Sequence, residues 1–497
     1  MGKMMKTRLI IIAFALSVVQ SEKSYSQTFS DINGIRFVSA FSGADLGAKI
    51  NSAVADCQVG GTTCNLYVDI PGTISTMPDV PAGYTITFAP GTYTLTTTIK
   101  INHTHTTWNF GNAFINYPLD TGGQVVWIGK NIYGTATAVG NILTSVTGPG
   151  FADVDAGDGV YFNGAAYNVA SSTATTLTLT QSAGTVNVPA NFGMFLSGDG
   201  DVGATGPIIV RDLNIHHSTP INSTTIDAIH VEAVTGLRMD GIYVTGFSGG
   251  TSNALNCIAC ISNKFQNFTA NANAHALNLD GRTMDGTPNS EVDSNENNFY
   301  GYDFVANTGG SDGEIHLQGK AGSNHFFGGR YEGNRGGYAV HIMFTANCSG
   351  NVWYAPYFES NGNGTPGSAD FLQQCGQNSI YDASNTTGSV NFPVFAYVAQ
   401  SVGTLMNVTN ISVRGLYTTS LSYMSGAGGK IMRANTSGIP YAPGNAQFED
   451  INGNIISNGI NATGYQVNGS PGFSGTKTVG PCTLTVNSGL ITNVTGC

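Results

Sequence analysis

A spacing frame repeated through the middle of this chain limits its fold more than any other feature. Apolar residues stand at positions 0, +3 and +5 in Val210/Leu213/Ile215, Met239/Ile242/Val244, Phe265/Phe268/Ala270, Phe299/Tyr302/Phe304, Phe326/Gly329/Tyr331 and Trp353/Pro356/Phe358, the Gly and Pro being the exceptions, and Ile380 opens a seventh copy. Successive starts lie 29, 26, 34, 27, 27 and 27 residues apart. A second frame falls between them: Ala228-Ile-His-Val, Ala254-Leu-Asn-Cys, Ala276-Leu-Asn-Leu, Glu314-Ile-His-Leu, Ala339-Val-His-Ile and Ala369-Asp-Phe-Leu. These short alternating elements, separated by Gly, Asn and Ser, have strand periodicity. A propeller blade needs four strands in about 40 residues, so two strands per shorter repeat predict a parallel β-helix. The 34-residue step predicts a loop, Thr283 to Glu296, extruded from one coil. Asn273, Asn307, Asn334 and Asn361 each follow the +5 position by three residues. They predict an amide column that hydrogen-bonds along the stack and tolerates left-handed backbone.

Composition agrees with a strand solenoid. Only 10% of residues are charged and 66 of 497 are Gly, against averages of about a quarter and about 7%, so long surface helices are not expected. A net charge of −11 argues against nucleic acid and anionic membrane surfaces as partners. Lys3, Lys6 and Arg8 precede an apolar run from Leu9 to Val19, and Ser24-Tyr25-Ser26 precedes Gln27. This pattern predicts a signal peptide over 1–26 and a secreted or cell-surface protein; the alternative is an uncleaved anchor. The run falls well short of the roughly 20 residues that span a bilayer, so no membrane insertion is expected. Eight cysteines fall in local pairs, Cys57/Cys64, Cys257/Cys260, Cys348/Cys375 and Cys482/Cys497, which predict disulfides in an oxidising compartment. The Cys257-x-x-Cys260 pair also fits half a zinc site or a redox motif. Ala44 to Asp56 places Leu46, Ile50, Ala53 and Val54 at helical spacing, as a short helix plugging the open end of the solenoid would.

Ala40-Phe-Ser-Gly-Ala-Asp-Leu-Gly-Ala-Lys-Ile, Tyr67-Val-Asp-Ile-Pro-Gly and Gly91-Thr-Tyr-Thr-Leu-Thr-Thr-Thr-Ile lie within Phe37 to Ile101. This stretch resembles the N-terminal part of the pectate-lyase-like superfamily, which includes polysaccharide lyases, glycoside hydrolases and phage tailspikes. The resemblance implies an all-β, right-handed single-stranded parallel β-helix. The Asn-Thr-Asp, Asp-Asp, Gly-His-Gly and Arg-Ile-Lys motifs of polygalacturonases are missing, so their mechanism does not carry over. The expected organisation is an N-terminal cap and first coils over 27–123, an inserted small β-barrel or sandwich over 124–200, the β-helix over 201–440 and a β-rich tail over 441–497. The inserted module is expected either to bind a ligand or to act as a spacer. The tail resembles those of trimeric tailspikes, which implies a possible homotrimer; a flexible spacer is the alternative.

Four columns on the solenoid wall are candidate sites, since stacked coils lie about 4.8 Å apart. His230, Asn256, Asn278, His316 and His341 sit between inward apolar neighbours and offer donors and acceptors to sugar hydroxyls, or are simply surface polar residues. Glu232 and Asp280 stand two coils apart, roughly 10 Å, near the carboxylate spacing of inverting glycosidases; Asp280-Gly281 also reads as a turn. Glu332 and Glu359 fall on adjacent coils, about 5 Å apart and near the retaining spacing. Arg330 and Arg335 would neutralise that pair as an ordinary surface network, with Asp303 facing Arg330. Tyr300, Phe327, Tyr354 and Tyr381 form an aromatic column that either stacks on pyranose rings or turns inward as core. The expected partner is a polysaccharide. Glu332 and Glu359 are the candidate acid and nucleophile, with Glu232 and Asp280 as the alternative pair. His230, Asn278, His316, His341, Tyr300, Tyr354 and Arg330 are candidate substrate contacts. No cofactor or metal is expected, except that a lyase would use Ca²⁺ and a base such as His316 or His341. The competing reading is a non-catalytic surface adhesin or tailspike-like fibre.

Overall fold

The computed structural model describes residues 31–361 apart from 33, 60–63, 131, 198–205, 219–223, 284–290, 293, 309–314, 334–337, 343–349 and 360, and beyond these only isolated segments up to residue 495. The expected signal peptide and the Cys348/Cys375 pair lie outside the described residues. Among the described residues no helix is long and apolar enough to cross a membrane.

The body is a right-handed single-stranded parallel β-helix, the hand that a parallel strand crossover takes. Position-0 residues stack in register, Phe265 on Phe299, Phe299 on Phe326, Phe326 on Trp353 and Trp353 on Ile380. The rings of Phe299 and Phe326 lie 4.8 Å apart at 7°, and those of Phe326 and Trp353 4.9 Å apart at 3°. All four aromatic residues are buried in one core that runs along the solenoid.

The coils opening at Met239 and Phe265 carry the expected two strands, their first frames running unbroken as Arg238–Thr245 and Lys264–Asn271, whereas in the copies at Val210, Phe299, Phe326 and Trp353 the first frame is split and the coil carries three. In one coil they are Asn298–Tyr300, Asp303–Val305 and Ile315–Gln318. The 0, +3, +5 spacing of the first frame has a backbone cause. Strict alternation would bury positions 0, +2 and +4, yet 0, +3 and +5 are buried. Position +2 adopts left-handed angles in each of the six copies where it is described: Asp212 (φ 53°), Gly241 (71°), Asn267 (51°), Gly301 (61°), Gly328 (63°) and Ala355 (50°). One left-handed residue shifts the inward parity, as a β-bulge does. Gly329 at +3 has a further reason to lack a side chain, since a Cβ there would lie 2.4 Å from the Tyr302 ring.

The amide column forms as expected where it is described: the Asn273 backbone N–H and Nδ2 both donate to Asn307 Oδ1, at 3.0 and 3.2 Å. Asn334 lies outside the described residues. The left-handed residue is the one before the amide, Ala272 or Ala306, rather than the Asn itself. A second ladder, not read from the sequence, joins Asn263, Asn297, Asn324, Asn351 and Asn378, all buried.

The predicted helix spans Leu46–Val59 and buries Leu46, Ile50, Ala53, Val54 and Cys57 against the first coil. Asp45 caps it, accepting from the Ala48 N–H (3.0 Å) and from the hydroxyls of Ser75 (2.8 Å) and Thr76 (2.7 Å). Desolvation works to raise the Asp45 pKa, but these donors hold it down at about 2. Cys57–Cys64 and Cys257–Cys260 are disulfides, so the latter pair is neither a free dithiol nor a metal site. Cys482 is disulfide-bonded, and Cys497 lies outside the described residues.

The inserted module begins later than expected. Gly123–Gly129 pairs in parallel with Ile99–Ile101 and Ile226–Thr235, so Val125-Val-Trp-Ile belongs to the solenoid. The module is a closed antiparallel barrel of Tyr133–Val139, Ile142–Thr147, Thr176–Leu179, Ala165–Ser172, Gly159–Phe162 and Thr185–Ser197, in that order around the wall. It has its own core, including Leu143, Phe162, Leu177 and Phe192. Tyr161 and Phe195 rest on Ala233 and Ala259 of the solenoid. In the tail, Gly475–Val479, Cys482–Asn487 and Leu490–Thr495 form an antiparallel sheet.

Candidate functional site

The second-frame strands build one wall of the solenoid. His230, Asn256, Asn278, His316 and His341 stand in register as the spacing predicts, and the column continues backwards to Trp127 and Lys100. They alternate with core residues such as Ile229 and Val231, yet His230, Asn278 and His316 are buried. Neighbouring side chains take up much of their polar capacity. Asn256 Nδ2 donates to Asp227 Oδ2 (2.7 Å), Asn278 Nδ2 to Asn256 Oδ1 (2.9 Å) and Gln318 Nε2 to Asn278 Oδ1 (3.0 Å). The His275 and His316 rings lie 4.3 Å apart. The side chain of His341 lies outside the described ones.

Glu232 and Asp280 share a column with Ile258 between them, two coils apart as read from the sequence. Glu232 is held from both sides. The Tyr133 hydroxyl, from the barrel, donates to Oε1 at 2.8 Å, and His230 Nε2 lies 3.3 Å from Oε2. His230 Nδ1 in turn lies 3.0 Å from Asp227 Oδ2, whose other oxygen accepts from Asn253 Nδ2 at 2.8 Å. An Asp–His–Glu chain therefore runs across a single strand, Ile226–Thr235.

This chain ends at a cleft of about 420 Å³ between the first coils and the barrel, lined by Lys100, Gln124, Trp127, Asp153 and Glu232 among others. Trp127 is half-buried, and Lys100 Nζ stands 5.3 Å from its ring centroid. Such a cleft combines an aromatic surface with carboxylate acceptors and an ammonium donor. Beside it, an ion network ties the barrel to the solenoid. Lys130 Nζ donates to Asp155 Oδ2 (2.9 Å) and to Asp158 Oδ2. His103 Nδ1 lies 2.6 Å from Asp155 Oδ2, and its Nε2 3.4 Å from Asp79. Burial disfavours charge on His103, but Asp155 and Asp79 push its pKa up to about 9.

Glu332 and Glu359 are register neighbours on adjacent coils, as predicted. Arg330 faces Asp303 and grips it with Nε (2.7 Å) and a terminal nitrogen (2.8 Å), while its other terminal nitrogen donates to Glu332. Glu359 accepts from the Tyr357 hydroxyl at 2.6 Å. Tyr300, Phe327 and Tyr354 stay on the outer face. Their rings stack on one another at 4.8 and 5.0 Å and within 6° of parallel, which turns edges rather than faces to the solvent. Tyr381 continues the register, and its side chain lies outside the described ones. Among the described residues no three His, Cys, Asp or Glu side chains gather as a metal site.

Trp127, Lys100, Tyr133, Asp153 and Asp227 are missing from the sequence reading. Val125-Val-Trp-Ile matches the second frame of Ala228-Ile-His-Val, and aligning the two would have placed Trp127 in the His column. Nothing in the sequence points to Tyr133 or Asp153, because only docking of the barrel brings them to the wall.

No protein-family model and no curated protein matches the chain. Among solved structures it is similar to ORF18 of Geobacillus virus E2, with 11% identity, 89% of this chain and 78% of that chain covered and a TM-score of 0.43. It is similar to the tailspike gp49 of Pseudomonas phage LKA1, with 13% identity, 76% and 57% covered and a TM-score of 0.34. PfbA, a surface adhesin of Streptococcus pneumoniae, shares 9% identity, with 86% and 98% covered and a TM-score of 0.43.

Proposed function

We propose that the protein is an extracellular saccharide-binding β-helix whose primary binding site is the cleft at Trp127. The observation that carries this reading is the half-buried indole in a concave site with Lys100 over it and Glu232 and Asp153 in the lining. A pyranose presents an apolar C–H face to an aromatic ring and hydroxyls at its rim, and this lining supplies partners for both. The wall beyond Trp127 satisfies much of its own hydrogen bonding, which favours the cleft over the His/Asn column as the point of engagement. Two buried disulfides suit an exported protein.

Cleavage of the bound glycan is the further step of this reading. Of the two carboxylate pairs, Glu232 with Asp280 has one member, Glu232, in the cleft lining, whereas Arg330 and Tyr357 engage Glu332 and Glu359 as a surface network would. The second reading, a passive adhesin or fibre, is favoured by that network and by the self-stacked aromatic column. Retention on a panel of immobilised polysaccharides, followed by assay for new reducing ends and unsaturated products, separates hydrolase, lyase and adhesin. Trp127→Ala is expected to weaken retention at least about tenfold, roughly 1.4 kcal/mol. Unchanged affinity in that variant removes the cleft as the site.

A further inference from the structure

We propose that Lys130 and Asp158 are joined by an intramolecular amide bond, which fastens the inserted barrel to the solenoid. Lys130 directly follows the last solenoid strand before the barrel, Gly123–Gly129, and Asp158 directly precedes the barrel strand Gly159–Phe162. The two side chains meet with only 2% and 0% of their surface exposed. Val154, Val160 and Phe151, neighbours of Asp158 in sequence, belong to the apolar core of the barrel. The Lys130 amine touches the carboxyl that would acylate it, and a second carboxylate, Asp155, stands 2.9 Å from the same nitrogen.

Each part of the reaction has a group in place. In a site that excludes water, an ammonium and a carboxylate lose their solvation, and transfer of one proton between them yields an amine and a carboxylic acid. Burial acts in the same direction on Asp158, pushing its pKa up to about 6 against the pull of Lys130. The Nζ lone pair then adds to Asp158 Cγ. The charge that develops on Oδ2 is met by the Asp155 backbone N–H, which already donates to that atom at 2.8 Å. With the acid proton carried on Oδ1, Asp155 takes a proton from the nitrogen and passes it to the same oxygen, and the Cγ–Oδ1 bond breaks with water leaving. Oδ1 is buried and has no hydrogen-bond partner, as suits a leaving group. His103, 2.6 Å from Asp155, orients that shuttle. The ammonium and carboxylate become one amide and one water, and no oxidant, metal or further reactant enters.

The test is the mass of the purified mature protein after reduction of its disulfides. The expected result is a chain one water lighter than its sequence, with a branched peptide linking Lys130 to Asp158 in the protease digest. Lys130→Arg keeps the charge but cannot form the bond, and is expected to restore the full mass. Asp155→Asn is expected to fold and to leave most of the chains unlinked. Full mass in the wild-type protein overturns the proposal. So does a water loss that persists in Lys130→Arg and maps to Asp158–Gly159, which is a succinimide, and so does a branch through Asp155.

Discussion

Asn324 shows what an amide contributes inside a stack of coils. Its Oδ1 accepts from the backbone N–H and Nδ2 of Asn297, while its Nδ2 donates to the Ser294 carbonyl (3.0 Å) and to Asn351 Oδ1 (3.0 Å). Removing it takes the partner from the buried Asn297 donors and from the Ser294 carbonyl on the preceding coil, at about 1–3 kcal/mol for each group left unsatisfied. Asn324→Ala is therefore expected to lower the urea midpoint, whereas replacing an exposed residue such as Ser323 with Ala leaves it nearly unchanged. His103 makes a second residue-scale prediction. Its pKa is raised from 6.5 to about 9, so the stability it contributes is complete below about pH 6.5 and is lost as pH rises through about 9. A shift of this size corresponds to about 3 kcal/mol. Thermal melting from pH 6 to 10 is expected to show the decline in the wild type and a flatter profile in His103→Gln. Asp155 acts at the other end. Burial works to raise its pKa, but the His103 hydrogen bond and the nearby charges hold it down at about 2. Its share is thus present above the ordinary Asp range and lost only as pH falls through about 2.

At the scale of the element, the recurring bend explains the spacing of the inward residues. The 0, +3, +5 spacing was legible because inward residues are apolar and repeat, but the backbone state that produces it was not, since Asp212, Asn267 and Ala355 take it as well as Gly241, Gly301 and Gly328. Six positions with one conformation and four residue types leave no composition signature. They do make a paired prediction. Ala355 bears the cost of a Cβ in left-handed backbone, of the order of 1 kcal/mol, and Gly328 avoids it. A Cβ on Gly328 would meet nothing within 4 Å, so its substitution tests the backbone alone. Ala355→Gly is expected to raise the melting temperature and Gly328→Ala to lower it by a similar amount. Equal and unchanged midpoints would mean that the bend is not what sets the inward parity.

For the whole molecule, the relation between barrel and solenoid decides what the chain can bind, and it is the part least visible in the sequence. Strand-like segments and turns announced a small β-module, and its closure follows from their antiparallel pairing. Its placement follows from contacts far apart in the chain: Tyr161 and Phe195 on Ala233 and Ala259, Tyr133 on Glu232, and Lys130 between Asp155 and Asp158. The Glu232–Asp280 and Glu332–Glu359 columns were legible because register follows from a constant repeat, but the side chains that engage them across the wall were not. Barrel and solenoid have separate cores. Replacing residues 133–193 with a short Gly-Ser linker is therefore expected to leave the parallel solenoid folded, with its strand signature in circular dichroism retained. The same deletion removes one side of the Trp127 cleft and the Tyr133 hydrogen bond to Glu232. Saccharide retention should then fall at least as far as in Trp127→Ala, and combining the two changes should add little, because both act on one site. Full retention by the barrel-less chain would assign binding to the bare solenoid wall instead, and would return the Glu332 and Glu359 face to first place.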